Sequence, residues 1–185
     1  MLIFRALYFL LFLFFLVSCA KNNIENSTIK EKSLELQVLE VYDIGKDALE
    51  GGDVLYAAKK FNEVETLFPQ SEWAPKSALM AAYSYYVQDY YSDSIAELQR
   101  FIRVYPYHKN IPYAHYLMGI CYFEQIVDEK NDLQSIKIAK IIFNYVLKEY
   151  NNTEYALDAE FKISLINDIL ACLLYTSDAA DEMRR

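Results

Sequence analysis

The sequence predicts an all-α fold, an array of antiparallel helix hairpins. Three observations predict it. Glycine and proline are scarce, four of each in 185 residues, too few for the tight turns of a sheet protein. Apolar residues recur at helical spacings of three and four. One pattern also returns along the chain. Phe61, Val64, Leu67, Phe68 and Pro69 are matched 37 residues on by Leu98, Phe101, Val104, Tyr105 and Pro106, and 45 further on by Phe143, Val146, Glu149, Tyr150 and Asn151.

The chain opens outside any fold. Met1 and Arg5 precede the apolar run Leu7 to Leu16, which small residues follow. That is a secretory signal, too short to span a bilayer comfortably. Leu16, Val17, Ser18 and Cys19 resemble the bacterial lipobox. The resemblance implies cleavage after residue 18 and a covalent lipid on Cys19, the one non-protein group expected. Each buried acyl methylene contributes about 0.8 kcal/mol, so several chains anchor almost permanently. Ala20 follows where an aspartate tends to retain lipoproteins in the inner membrane, so transport to the outer membrane is expected. Residues 19–32 form the lipidated cysteine and an asparagine-rich tether.

From Lys30 the pattern turns helical, and residues 33–171 are expected to form the domain. Leu34, Val38, Val41, Tyr42, Gly45 and Leu49 share one helix face. Gly51-Gly52 breaks that helix and Asp53 caps the next. Ala57, Phe61, Val64, Leu67 and Phe68 form the facing stripe. Ala57, Ser94 and Ala139 occupy matching small positions, where hairpin helices approach closely. Trp73-Ala74, Tyr113-Ala114 and Tyr155-Ala156 open the first helices of later units. Ser71, Asn110, Asn152 and Thr153 stand ready to cap them. Extra residues of the third unit are expected in an acidic loop, Asp128 to Leu133.

Two helices per unit, small residues at crossings and a boundary proline that cannot extend a helix make a tetratricopeptide-like superhelix. Three units are complete, about 34–69, 73–106 and 111–151. A partial fourth spans 154–171, with Ala156, Ala159, Phe161, Ile163 and Ile166 on its helix. Such a unit leaves an apolar face bare, because terminal repeats normally carry a polar outer side. Residues 172–185 resemble the translation of a sequencing-library adapter and are expected to be foreign to the natural chain.

Composition removes several function classes. A formal net charge of −8 argues against nucleic acid, which demands a basic face. With Cys19 lipidated and Cys172 set aside, Cys121 has no partner for an internal disulfide. His108 and His115 lack a metal-ligand pattern, no serine sits in a nucleophile elbow, and no glycine loop cradles phosphate. The chain reads as a non-enzyme without a metal. The expected working surface is the groove lined by the first helix of each unit. Leu79, Tyr83 and Tyr86 follow i, i+4, i+7, and Tyr113 and Tyr116 hold similar places. Tyrosine suits a peptide groove, joining apolar area to a hydroxyl with two torsions to freeze. Arg100 and Arg103 are candidates for pairing with a terminal carboxylate, against the alternative of a solvated helix face.

Phe101 to Ala114 resembles the segment bridging the second and third repeats of the BamD family, lipoprotein subunits of the outer-membrane β-barrel assembly machine. Leu117 to Tyr122, Leu67 to Ala74, Ala82 to Tyr86 and the lipobox continue the resemblance, which covers about 33–171. It implies a scaffold on the periplasmic leaflet of the outer membrane. Its N-terminal repeats would receive nascent outer-membrane proteins through their C-terminal targeting strand. Its C-terminal repeats would dock on a BamA-type barrel subunit, beside other lipoproteins of the BAM complex. Most of that docking half is missing here. The alternative is a periplasmic adaptor for envelope constriction or peptidoglycan machinery. Such adaptors usually carry coiled-coil heptads and no lipobox, the reverse of this chain.

Overall fold

The computed structural model describes residues 33–128 and 133–182. Among these, seven helices follow in order: α1 Leu34–Glu50, α2 Val54–Leu67, α3 Trp73–Tyr86, α4 Tyr91–Val104, α5 Ile111–Asp128, α6 Leu133–Glu149 and α7 Glu154–Glu182. No strand occurs among the described residues. Each helix packs on the next, and the first helices of neighbouring hairpins also touch, α1 on α3 and α5 on α7. This is the expected all-α, tetratricopeptide-like stack.

Local chemistry sets the breaks. The Leu36 N–H donates to Ser33 Oγ at 3.4 Å and the Tyr56 N–H to Asp53 Oδ1 at 3.1 Å, so two first turns are capped by side chains. Gly52 has φ 83°, a conformation that L side chains resist, and there the chain reverses between α1 and α2. The second helices all end alike. The N–H groups of Phe68, Tyr105 and Tyr150 donate to the carbonyls of Val64, Phe101 and Val146 at 2.8–2.9 Å. The carbonyls of Phe68, Tyr105 and Tyr150 then accept from Ser71, His108 and Thr153, whose own carbonyls accept from Ala74, Ile111 and Ala156. One backbone turn is thus used three times.

That turn corrects the capping expectation for Ser71. Its carbonyl receives the helix while its hydroxyl is buried without a partner. The third unit also differs from expectation. Helices α5 and α6 are 18 and 17 residues long, against 14 for each of α3 and α4. Most of the extra residues therefore lengthen helices and do not sit in the connecting loop. Residues 129–132 of that loop lie outside the described residues, as do the signal 1–18 and tether 19–32.

Equivalent positions share equivalent burial. Ala57, Ser94 and Ala139 are wholly enclosed, as are Phe61, Leu98 and Phe143, and Val64, Phe101 and Val146. Three successive apolar clusters result, the first centred on Phe61, the second on Leu98 and Phe101, the third on Phe143. No hairpin hides its own apolar stripe alone, so stacking is what buries it. Three residues of the predicted apolar stripes are exposed: Leu34 at 62 %, Leu67 at 57 % and Phe161 at 65 %. Among the described residues no helix precedes α1 and none follows α7. Ala156, Ala159 and Ile166 are buried.

Candidate functional site, a tyrosine strip on the first helices

Tyrosines of α3, α5 and α7 come together on the first-helix layer. The rings of Tyr83 and Tyr86 lie 6.1 Å apart, and Tyr86 lies 6.3 Å from Tyr91 at the start of α4. Across the next hairpin, Tyr155 stands 5.5 Å from both Tyr113 and Tyr116, and Tyr116 also meets Phe143 at 6.1 Å. The two groups adjoin. Tyr83, Tyr86 and Tyr113 pack against the second cluster, and Tyr86 also packs with Tyr116 and Tyr155 against the third. All these named tyrosines are half-buried, presenting part of each ring.

Carboxylates frame the strip. The Tyr116 hydroxyl donates to Asp158 Oδ2 at 2.6 Å and the Tyr91 hydroxyl to Asp89 Oδ1 at 2.7 Å. Burial pushes the phenols of Tyr86, Tyr91, Tyr113 and Tyr116 above their ordinary value. Asp158 adds to this for Tyr116, Asp89 for Tyr91 and Glu124 for Tyr86. All four are protonated at physiological pH; Tyr91 and Tyr116 give their protons to Asp89 and Asp158, and their oxygens can still accept beside an apolar face. Such a surface suits a neutral or apolar extended peptide with aromatic side chains.

The candidates drawn from the sequence divide here. Tyr83, Tyr86, Tyr113 and Tyr116 converge. Leu79 does not reach the surface: it is 6 % exposed and packs among Leu98, Ile111 and Leu117. The stripe turns inward one helical turn before Tyr83. Arg100 is corrected too. Its guanidinium donates to Glu65 Oε2 at 2.6 Å, to Glu97 Oε2 at 2.9 Å and to Asn62 Oδ1 at 3.2 Å, clamping α4 to α2. A terminal carboxylate would have to displace two others. Arg103 stands exposed in the last turn of α4. Leu16, Val17, Ser18 and Cys19 lie outside the described residues.

Sequence reasoning missed Tyr91, Tyr155, Asp158 and Glu124. Tyr155 had a signal, since it opens α7 as Tyr113 opens α5. A lone Asp158 on a helix face had none. The histidines are apart and serve packing. His115 lies 4.8 Å from the Tyr145 ring, His108 5.6 Å from Phe101, and burial lowers both pKa values. No group of metal-ligating side chains and no helix able to cross a membrane occurs among the described residues.

Comparison with known proteins places this architecture. The family described as YfiO, outer membrane lipoprotein, matches residues 35–178. The chain belongs to the YfiO family. Among YfiO-like relatives, the outer membrane protein assembly factor BamD of Caulobacter vibrioides is 42 % identical over 142 residues, 77 % of this chain and 45 % of that protein. BamD of Rickettsia prowazekii is 35 % identical over 62 % of this chain and 46 % of its own length. BamD of Neisseria gonorrhoeae is 30 % identical over 72 % of this chain and 54 % of its own. The chain thus spans about half the length of the curated relatives it matches.

Proposed function

We propose that this chain is a non-catalytic, lipid-anchored scaffold in outer-membrane protein assembly, and that the tyrosine strip receives unfolded outer-membrane proteins. The strip carries the reading. Six tyrosine rings, spread over α3, α4, α5 and α7, match an extended segment whose alternate side chains are aromatic. Backbone groups of such a strand find hydrogen-bond partners in the phenols, and its rings find apolar area. The relatives named as outer membrane protein assembly factors support it.

The remaining parts follow the same reading. Residues 1–18 are removed, Cys19 carries the lipid in the periplasmic leaflet of the outer membrane, 19–32 tether the domain, and 172–185 are foreign. The intact protein joins a BamA-type barrel subunit and other lipoproteins of the machine.

A photo-crosslinking residue placed at Tyr83 or Tyr86, and at Tyr145 on a second helix, tests the strip. The probe is a peptide from the C-terminal strand of an outer-membrane barrel, ending in phenylalanine. Adducts from positions 83 and 86 but not 145 are expected. Equal labelling at all three, or labelling only at 145, overturns the assignment.

A further inference from the structure

In every hairpin the first helix begins, and the second ends, at one rim of the array. The domain's polypeptide enters at that rim, at Ser33. Exposed apolar side chains gather there: Leu34 and Leu36 on the first turn of α1, Leu67 at the end of α2, Val104 at the end of α4, and Tyr107, 99 % exposed, in the turn beyond. The ends of α2 and α4, which carry Leu67 and Val104, are fastened together. Glu65 accepts from Tyr105 at 2.8 Å and from Arg100 at 2.6 Å, two residues before Leu67. Arg103 and Lys109 stand exposed beside Val104 and Tyr107, with Glu35 and Glu72 at the first hairpin.

The opposite rim differs in charge. It also shows apolar side chains, Leu55, Val87 and Tyr90. Every charged residue between Asp47 and Asp53, and between Val87 and Asp93, is acidic and exposed: Asp47, Glu50, Asp53, Asp89 and Asp93. A phosphate-bearing lipid surface repels that rim. The rim at Ser33 is mixed, with exposed Arg103, Lys109 and Lys148 set against exposed Glu35, Glu72, Glu149 and Glu154, so its tyrosine and branched aliphatic residues meet such a surface with less repulsion.

We infer that the rim carrying Leu34, Leu36, Leu67, Val104 and Tyr107 rests on the phospholipid bilayer that holds the chain. The inference rests on the proposed lipid at Cys19. The acyl chains supply the attachment, so the rim needs little affinity of its own: the tether keeps it at high local concentration over the headgroups. Its effect is orientation. A tethered domain otherwise tumbles, whereas a seated rim holds the helix axes upright and presents the tyrosine strip sideways to arriving chains.

The experiment uses the acylated chain, made with its leader and reconstituted into vesicles of phosphatidylethanolamine and phosphatidylglycerol with brominated acyl chains. Tyr107→Trp and Tyr90→Trp are compared, the signal of Trp73 in the unsubstituted chain being subtracted. Quenching at position 107 is expected to exceed that at 90 by at least about twofold. Arg103→Glu with Lys109→Glu is expected to reduce it. A chain that floats with the vesicles yet is quenched equally at both rims, or only at 90, overturns the seated rim and leaves the anchor standing. A chain that does not float overturns both.

Discussion

A Cβ built on Gly119 stands 2.7 Å from Cε1 of Phe143, closer than any side-chain carbon tolerates. Gly45 meets Phe61 in the same way at 2.9 Å. In the middle hairpin Ala82 takes the place of glycine, and the residue equivalent to Phe61 and Phe143 is the smaller Leu98 of the same cluster. Ring size on the second helix thus sets side-chain size on the first. Gly119→Ala is expected to lower stability by about 1–3 kcal/mol through overpacking, against a gain of about 1 kcal/mol in helix propensity. Adding Phe143→Leu, which copies the middle hairpin, should recover part of the loss. Thermal unfolding reads both changes; an unchanged melting temperature in the single variant would mean that the helices are not in this register.

Glu65 holds two groups of the neighbouring hairpin, Arg100 and Tyr105. The Arg100 side chain is 31 % exposed and that of Glu65 13 % exposed, so solvent screens the pair only in part. Glu65→Leu alone takes from the guanidinium one of its two carboxylates, leaving Glu97 and Asn62, and removes the acceptor of the Tyr105 hydroxyl; it should cost about 1–3 kcal/mol. The double variant with Arg100→Met should lose less than the two singles together. Urea titration of the four chains measures the coupling, and strict additivity would show that the clamp contributes nothing.

Burial, helped by Glu65, raises the Tyr105 phenol from 10.0 to about 12. The folded chain holds that proton where the unfolded chain has released it. This share of the stability is therefore complete below pH 10 and is lost as pH rises through about 12. Tyr105→Phe should flatten the alkaline fall of the melting temperature, though not abolish it, because Tyr113, Tyr116 and Tyr150 are raised as well. An alkaline limb identical to the parent's counts against the environment described for Tyr105.

Cys121 lies wholly buried between α4 and α5. Its thiol donates to Ser94 Oγ at 3.4 Å, and burial pushes it up to about 11. The thiolate is the reactive form. An aromatic disulfide reagent at mildly alkaline pH should label exposed Cys172 at once and Cys121 only after denaturant is added. Simultaneous labelling of both by the native chain would contradict the packing of the second cluster.

Much of the fold was legible because its causes are local. Phe61, Leu98 and Phe143 recur with small residues four positions earlier at 57, 94 and 139, and steric fit between two close helices admits few other arrangements. The candidate site was only half legible. Tyr83, Tyr86, Tyr113 and Tyr116 followed from their positions on the first helices, but Leu79 belongs to the same periodic stripe and faces the core. Periodicity gives the width of a stripe and not the point along the helix at which its neighbour ends. Tyr155 was visible as a repeat equivalent and passed over. Asp158 joined the strip only through its bond to Tyr116.

By itself, then, the amino-acid order determined the hairpin array, the spacing of its units and the expectation of a lipid at Cys19, since helix period, glycine and proline sterics and a short processing motif all act within a few residues. Only the tertiary structure decided what each polar or marginal side chain faces. Arg100 meets Glu65 because another hairpin brings Glu65 there, and Phe161 stays exposed because no described helix follows α7. Those outcomes depend on partners 35 or more residues away, and nothing in a residue's own neighbourhood encodes which of them it will meet.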